Sequence, residues 1–121
     1  MLSRRSVLGA MLLPCALPTV RAQAFPARSL RIVVPFGAGG VGDLTARVVA
    51  AGLADRLGQT VLIENRPGAG GVVAAELVAR AEPDGHTIFL MSNGTAVTAS
   101  LYASLPYDTL KDLAPVSTLG T

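Results

Sequence analysis

Residues Val34–Asp43 read V-P-F-G-A-G-G-V-G-D, and the reading of this stretch decides the fold. An apolar run, Leu30–Val34, enters it, and a helix-like run, Leu44–Leu57, leaves it. Gly37, Gly39, Gly40 and Gly42 place four glycines within six positions, which marks a sharply turned backbone bare of side chains. A bare loop feeding a helix start presents unpaired N–H groups and the positive end of the helix field, and both suit an anion. The stretch is therefore expected to help grip a small anionic solute.

Working outward, Leu30-Arg-Ile-Val-Val34 is β-branched and mostly apolar, as a parallel strand covered on both faces should be, and Pro35 ends it. Ala46, Val49, Ala50, Leu53 and Leu57 form a helical stripe, with Asp43 expected as its N-cap and Gly58 as its stop. Val61–Asn65 is a second strand, Arg66–Gly71 a second glycine loop, and Val72–Ala81 a second helix. Pro83-Asp-Gly85 turns the chain into a third strand, Thr87–Met91, which ends in the polar loop Ser92-Asn-Gly-Thr95. This alternation predicts an α/β fold with a parallel sheet and crossover helices. Gly37-Ala-Gly-Gly-Val41 recurs as Gly68-Ala-Gly-Gly-Val72, displaced by 31 residues, about one strand-to-strand unit. All three loops follow strands and should share one edge of the sheet, where α/β proteins bind ligands. Beyond them, Thr98–Tyr102 reads as helical or extended, and Asp108 or Thr109 is expected to cap a short helix through Leu113.

Met1–Ala24 has the parts of an export signal: Arg4 and Arg5, an apolar stretch from Val7 to Leu17, and the small-residue end Ala22-Gln23-Ala24. Cleavage is expected after Ala24, with export by either the general or the twin-arginine route. Pro14 and Pro18 interrupt a stretch too short to span a membrane comfortably, so no stable membrane insertion is expected once the signal is removed. Removal takes Arg4, Arg5 and Arg21 away, which turns the precursor's formal charge of +2 into about −1. The basic balance therefore belongs to the precursor and does not point to nucleic acid. The single cysteine, Cys15, leaves too, so neither disulfides nor thiolate chemistry are expected in the remaining 97 residues or so.

Gly37-x-Gly39-x-x-Gly42 also satisfies the dinucleotide fingerprint, with Glu64 near the distance of a ribose-binding acid. That alternative reading makes the chain a nucleotide-binding enzyme, and Pro35-Phe36 and the extra Gly40 argue against it. A Walker-type loop is excluded because no Lys-Ser or Lys-Thr follows the glycines. A third reading, a secreted interaction domain without a solute, requires a flat loop edge. No catalytic residue, metal site or cofactor is expected. The only histidine, His86, falls at the strand end opposite the loops, and Ser92 lacks a G-x-S-x-G elbow.

Four motifs together carry a family resemblance. They are Pro35-Phe-Gly-Ala-Gly-Gly-Val-Gly-Asp43, Glu64-Asn-Arg-Pro-Gly-Ala-Gly-Gly71, Pro83-Asp-Gly85, and Leu105-Pro-Tyr-Asp108 with Lys111-Asp112 and Ala114-Pro-Val116. In this order and spacing they resemble the substrate-binding proteins of tripartite tricarboxylate transporters, the Bug family of periplasmic solute receptors. The resemblance implies residues 25–121 to be the N-terminal portion of the first of two α/β lobes, a partial periplasmic-binding-protein-like lobe with a mostly parallel sheet. On the same resemblance, the second lobe is expected to be absent from this chain. It implies capture of a small carboxylate in the Gram-negative periplasm and delivery to membrane transporter subunits. Contacts would come from Phe36, Gly37, Ala38, Gly39, Gly40 and Asp43, and from Ser92, Asn93, Gly94 and Thr95, largely through backbone N–H groups. Asn65, Arg66, Gly68 and Gly70 of the second loop complete the candidate set. Asp43 is expected to cap the helix or tie the glycine loop, Glu64 and Asn65 to organise the second turn, and Arg66 either to attract an anion or to be paired. The chain departs from the family pattern at Ala38, where proline is usual, and in Ala96–Ser100, which lacks an Asn-Pro before Leu101-Tyr102.

Overall fold

A computed structural model describes residues 24–120, so the expected export segment lies outside the described residues except for Ala24. The elements run β1 (Leu30–Val34), α1 (Val41–Leu57), β2 (Val61–Asn65), α2 (Val72–Ala79), β3 (Thr87–Phe89) and α3 (Asn93–Leu101), with a 3-10 turn at Ala69–Gly71 before α2. The strands form one parallel sheet in the order β2-β1-β3. β1 is thus the central strand, and it pairs Val33 with Glu64 on one side and with Phe89 on the other.

Alternation along β1 sends Ile32 and Val34 to one face, where they pack with Ala46 and Ala50 of α1 and with Val49, Leu53, Val61, Ile63, Ile88 and Leu90 around them. Val33, fully buried, points to the other face, where α2 lies against β1 and β3 and buries Ala74 and Ala75. The hydrophobic run of β1 follows from this: a strand covered by helices on both faces is mostly apolar, and its one charged residue, Arg31, is partly exposed and paired with Glu64. The small residues of both helices let them approach the sheet closely.

Several boundaries differ from the sequence-based expectation. α1 begins at Val41 rather than Leu44, and its N-cap is Gly40 with no side-chain cap, so Asp43 is not the cap but a residue of the first turn. Its carboxylate is recruited elsewhere, as described below. β3 ends at Phe89, although the Leu90 N–H still bonds to the Val33 carbonyl at 2.9 Å, because the chain then leaves the sheet to enter α3. Ser92–Thr95 is accordingly not a loop but the cap and first turn of α3, with Ser92 as N-cap accepting from the Thr95 N–H. Residues 98–101 are therefore helical. α2 stops at Ala79. Asp108 takes the Leu110 and Lys111 amides on its carboxylate, but the segment forms only a hydrogen-bonded turn and not the expected helix through Leu113.

Gly58 ends α1 as expected, with φ 65° and its N–H on the Ala54 carbonyl at 2.9 Å. At the strand end opposite the loops, His86 is buried beneath Phe25, ring centroids 5.0 Å apart and nearly edge-on. Arg28 pairs there with Asp84 at 2.7 Å.

Two glycine substitutions should move stability in opposite directions. Gly52 lies exposed inside α1 with open space where a Cβ would stand, so Gly52→Ala should stabilise by about 0.5–1 kcal/mol. Gly71 has φ 93°, and a Cβ there would sit 2.5 Å from the Thr95 Oγ1 and 3.3 Å from the Pro35 Cβ. Gly71→Ala should therefore destabilise by at least about 1–3 kcal/mol, measured by urea unfolding.

Candidate functional site

Because all three strands are parallel, their C-terminal ends lie at one edge. In the order β2-β1-β3 the chain reverses direction across β1, which makes the crevice between β1 and β3 a topological switch point. A cleft of about 290 Å³ opens there. Pro35 and Phe36 line it after β1, Gly68, Ala69, Gly70 and Gly71 line it after β2, and Ser92 and Gly94 line it after β3. The edge is concave, and none of its lining residues is charged.

The first loop is held by a buried carboxylate. Asp43 is 2% exposed. Its Oδ2 accepts from the Gly39 N–H and from Arg47 Nε, both at 2.9 Å. Its Oδ1 accepts from Asn65 Nδ2 at 3.0 Å, and the same amide nitrogen donates to the Phe36 carbonyl at 3.0 Å. Asn65 at the end of β2 thus ties the first loop to the neighbouring strand, and the Asp43 charge also faces the positive end of its own helix. The Arg47 guanidinium, then the Gly39 amide and the Asn65 amide, hold the Asp43 carboxyl down at about 2. Phe36 folds its ring over the start of α1, where a Cβ on Gly42 would collide with the ring.

The second loop runs through Gly68, Ala69, Gly70 and Gly71 at φ 135°, 45°, 64° and 93°. Ala69 is the one described non-glycine residue with positive φ, a strained position of the kind that collects at ligand-binding turns. Glu64 accepts from Arg66 Nε at 2.7 Å and from Arg31 Nη1 at 3.0 Å, and the two guanidinium groups, Arg66 foremost, lower its pKa. Arg66 is therefore paired with Glu64, and the acid that a ribose would need is already engaged by two arginines.

The third element is the first turn of α3. Thr95 is 0% exposed, its backbone N–H bonds to the Ser92 Oγ at 3.3 Å, and the two hydroxyl oxygens lie 3.2 Å apart. Thr98 donates its hydroxyl to the Thr95 carbonyl at 2.6 Å.

The structure thus sorts the candidate residues into three groups. Phe36, Gly68, Gly70, Ser92 and Gly94 meet at the cleft. Gly37, Ala38, Gly40 and Asn93 are exposed near it without lining it. Asp43, Asn65, Thr95 and the Gly39 amide form the scaffold beneath, and Arg66 stands in its ion pair. Sequence reasoning left out Pro35, Ala69 and Gly71, which also line the cleft. The Gly70-Gly71 doublet was the available signal, since two successive glycines mark a backbone that something packs against. Among the described residues, the amides of Gly37, Ala38, Gly68, Ala69, Gly70, Asn93 and Gly94 find no acceptor. The edge can therefore donate several hydrogen bonds to an anion. Asp43 and Glu64, held ionised and engaged, are poor proton acceptors near neutral pH.

Comparison with known proteins agrees with this geometry. Residues 45–121 match the family described as tripartite tricarboxylate transporter family receptor. The chain is 47% identical over 103 residues to BugT of Bordetella pertussis, covering 84% of this chain and 32% of that protein. Among solved structures it resembles MatC of Rhodopseudomonas palustris with bound malate, at 46% identity and a TM-score of 0.73 over 78% of this chain and 33% of that one. It also resembles an R. palustris protein with adipate, at 39% identity and a TM-score of 0.66 over 71% of this chain and 29% of the other. The chain thus spans about a third of the length of these relatives.

The lowered pKa of Asp43 has a definite consequence for stability. Folding favours the charged carboxylate, so its contribution is complete above the ordinary aspartate range near pH 4 and is lost as pH falls through about 2. Asp43→Asn should lower stability at neutral pH and flatten the decline between about pH 4 and pH 2, read from urea midpoints across that range. Asp84, also held at about 2, by the His86 amide and then by Arg28, should contribute to the same acid limb.

Proposed function

Because this chain belongs to the family of tripartite tricarboxylate transporter receptors, we propose that it forms part of a periplasmic receptor for a small dicarboxylate. One observation carries the reading: three strand-end turns open on a single cleft whose lining offers the free amides of Gly68, Ala69, Gly70 and Gly94 and the Ser92 hydroxyl, with no charged side chain. Such a set can hold a carboxylate through neutral donors and release it without breaking a buried ion pair. The ligands of two similar structures, malate and adipate, both carry two carboxylates, which supports the same class here.

On this reading residues 25–121 supply one side of the solute site, and a second lobe closes over the other. Closure shifts the population toward a form that a membrane transporter subunit recognises. The chain reaches the periplasm through the Met1–Ala24 signal, cleaved after Ala24. The ligand end bound here is a carboxylate, and the Phe36 ring and Pro35 offer apolar surface to the adjoining carbon chain.

Thermal unfolding of the mature protein with malate, adipate, citrate or NAD tests the proposal. Malate or adipate should raise the melting temperature, with about 2.7 kcal/mol of stabilisation at a hundredfold excess over Kd. Stabilisation by NAD and by none of the carboxylates would overturn the reading in favour of a nucleotide site.

A further inference from the structure

The hydroxyl pair at the head of α3 has a determinable proton direction. Ser92 Oγ and Thr95 Oγ1 lie 3.2 Å apart, and by distance alone either could donate. Burial separates them. Thr95 is fully buried, and its hydroxyl has no other partner among the described residues, whereas Ser92 lines the cleft. Were Ser92 to donate to Thr95, the Thr95 proton would be buried with no acceptor, which costs more than a hydrogen bond gains. The Thr95 hydroxyl therefore donates to Ser92. Ser92 Oγ also accepts from the Thr95 N–H at 3.3 Å, so both of its lone pairs are taken.

We infer that Thr95 is a positioning residue that makes Ser92 a pure hydrogen-bond donor toward the cleft, setting the site's preference for an acceptor-only group such as a carboxylate. This rests on the reading of the cleft as a carboxylate site and adds the residue that tunes it. A serine free to rotate would serve an ammonium or amide N–H as an acceptor equally well. A serine whose lone pairs are both occupied offers nothing to a donor and rejects it. Thr95 is held in turn by the close approach of Gly71, whose missing side chain leaves room for the Oγ1, and by Thr98, which donates to its carbonyl.

The test is calorimetric titration of the mature protein with malate and with adipate, for the wild type and for Thr95→Val, Thr95→Ser, Ser92→Ala and the Ser92→Ala/Thr95→Val pair. Thr95→Val keeps the shape and removes the donated proton, and it should weaken binding roughly five- to tenfold. Thr95→Ser should bind within about twofold of the wild type, because it keeps the proton. In the Ser92→Ala background the valine should add no further loss, since the two residues act through one hydrogen bond. Wild-type binding left unchanged by Thr95→Val, loss in a folded Thr95→Ser, or additive losses in the pair would each overturn the donor assignment alone. Absence of wild-type binding to either dicarboxylate would overturn the carboxylate reading and this assignment with it.

Discussion

A buried carboxylate has to be matched, and the matching of Asp43 organises this edge of the molecule. Taking that charge out of water is costly unless donors surround it. Three donors do so, one each from the glycine loop, the next turn of α1 and the end of β2. Each bond fixes a different element, so one side chain ties the loop after β1, the helix that follows and the neighbouring strand. Arg47 brings the compensating charge, which leaves the loop's free amides facing solvent without an unbalanced anion behind them. An acid close to the proposed anion site is thus reconciled with it.

The second constraint is steric. The turn after β2 passes through four successive positive φ values and then presses Gly71 against Thr95 and Pro35. That contact joins the loop ends of all three strands. The cleft is the space left between them, bounded by backbone rather than by long side chains. A wall of this kind has few rotamers to order when a ligand arrives, which lowers the entropic cost of binding.

Neutral donors also explain why arginines stand so near the site without entering it. Arg47 is engaged by Asp43, and Arg66 and Arg31 by Glu64. Their charges are spent on structure, so an anion bound as proposed would meet dipoles aligned at strand and helix ends instead of a fixed cation.

Much of this was legible in the chain. Leu30–Val34 announced a buried parallel strand by its apolar, β-branched run, and Val61–Asn65 a second strand, and the observed bounds of both agree. The glycine loops announced bare turns, and the alternation of strands and helices placed them at one edge, because parallel strands all point the same way. Local pattern was less informative where side chains had a choice of partner. Asp43 looked like a helix cap, and Ser92–Thr95 looked like a loop. Asn65, distant in sequence, drew the Asp43 carboxylate inward, where it ties the glycine loop, the other role expected of it, whereas Ser92 became a cap through a local bond from the Thr95 amide as the chain left β3.

What the sequence determined by itself is the order of strand, bare turn and helix, since that order depends on hydrophobic period and on glycine's conformational freedom, both local properties. Only the tertiary structure decided which groups are left over for a ligand. Whether an amide, a guanidinium or a hydroxyl remains free depends on what packs against it across the sheet, and that is a property of the fold and not of any one segment.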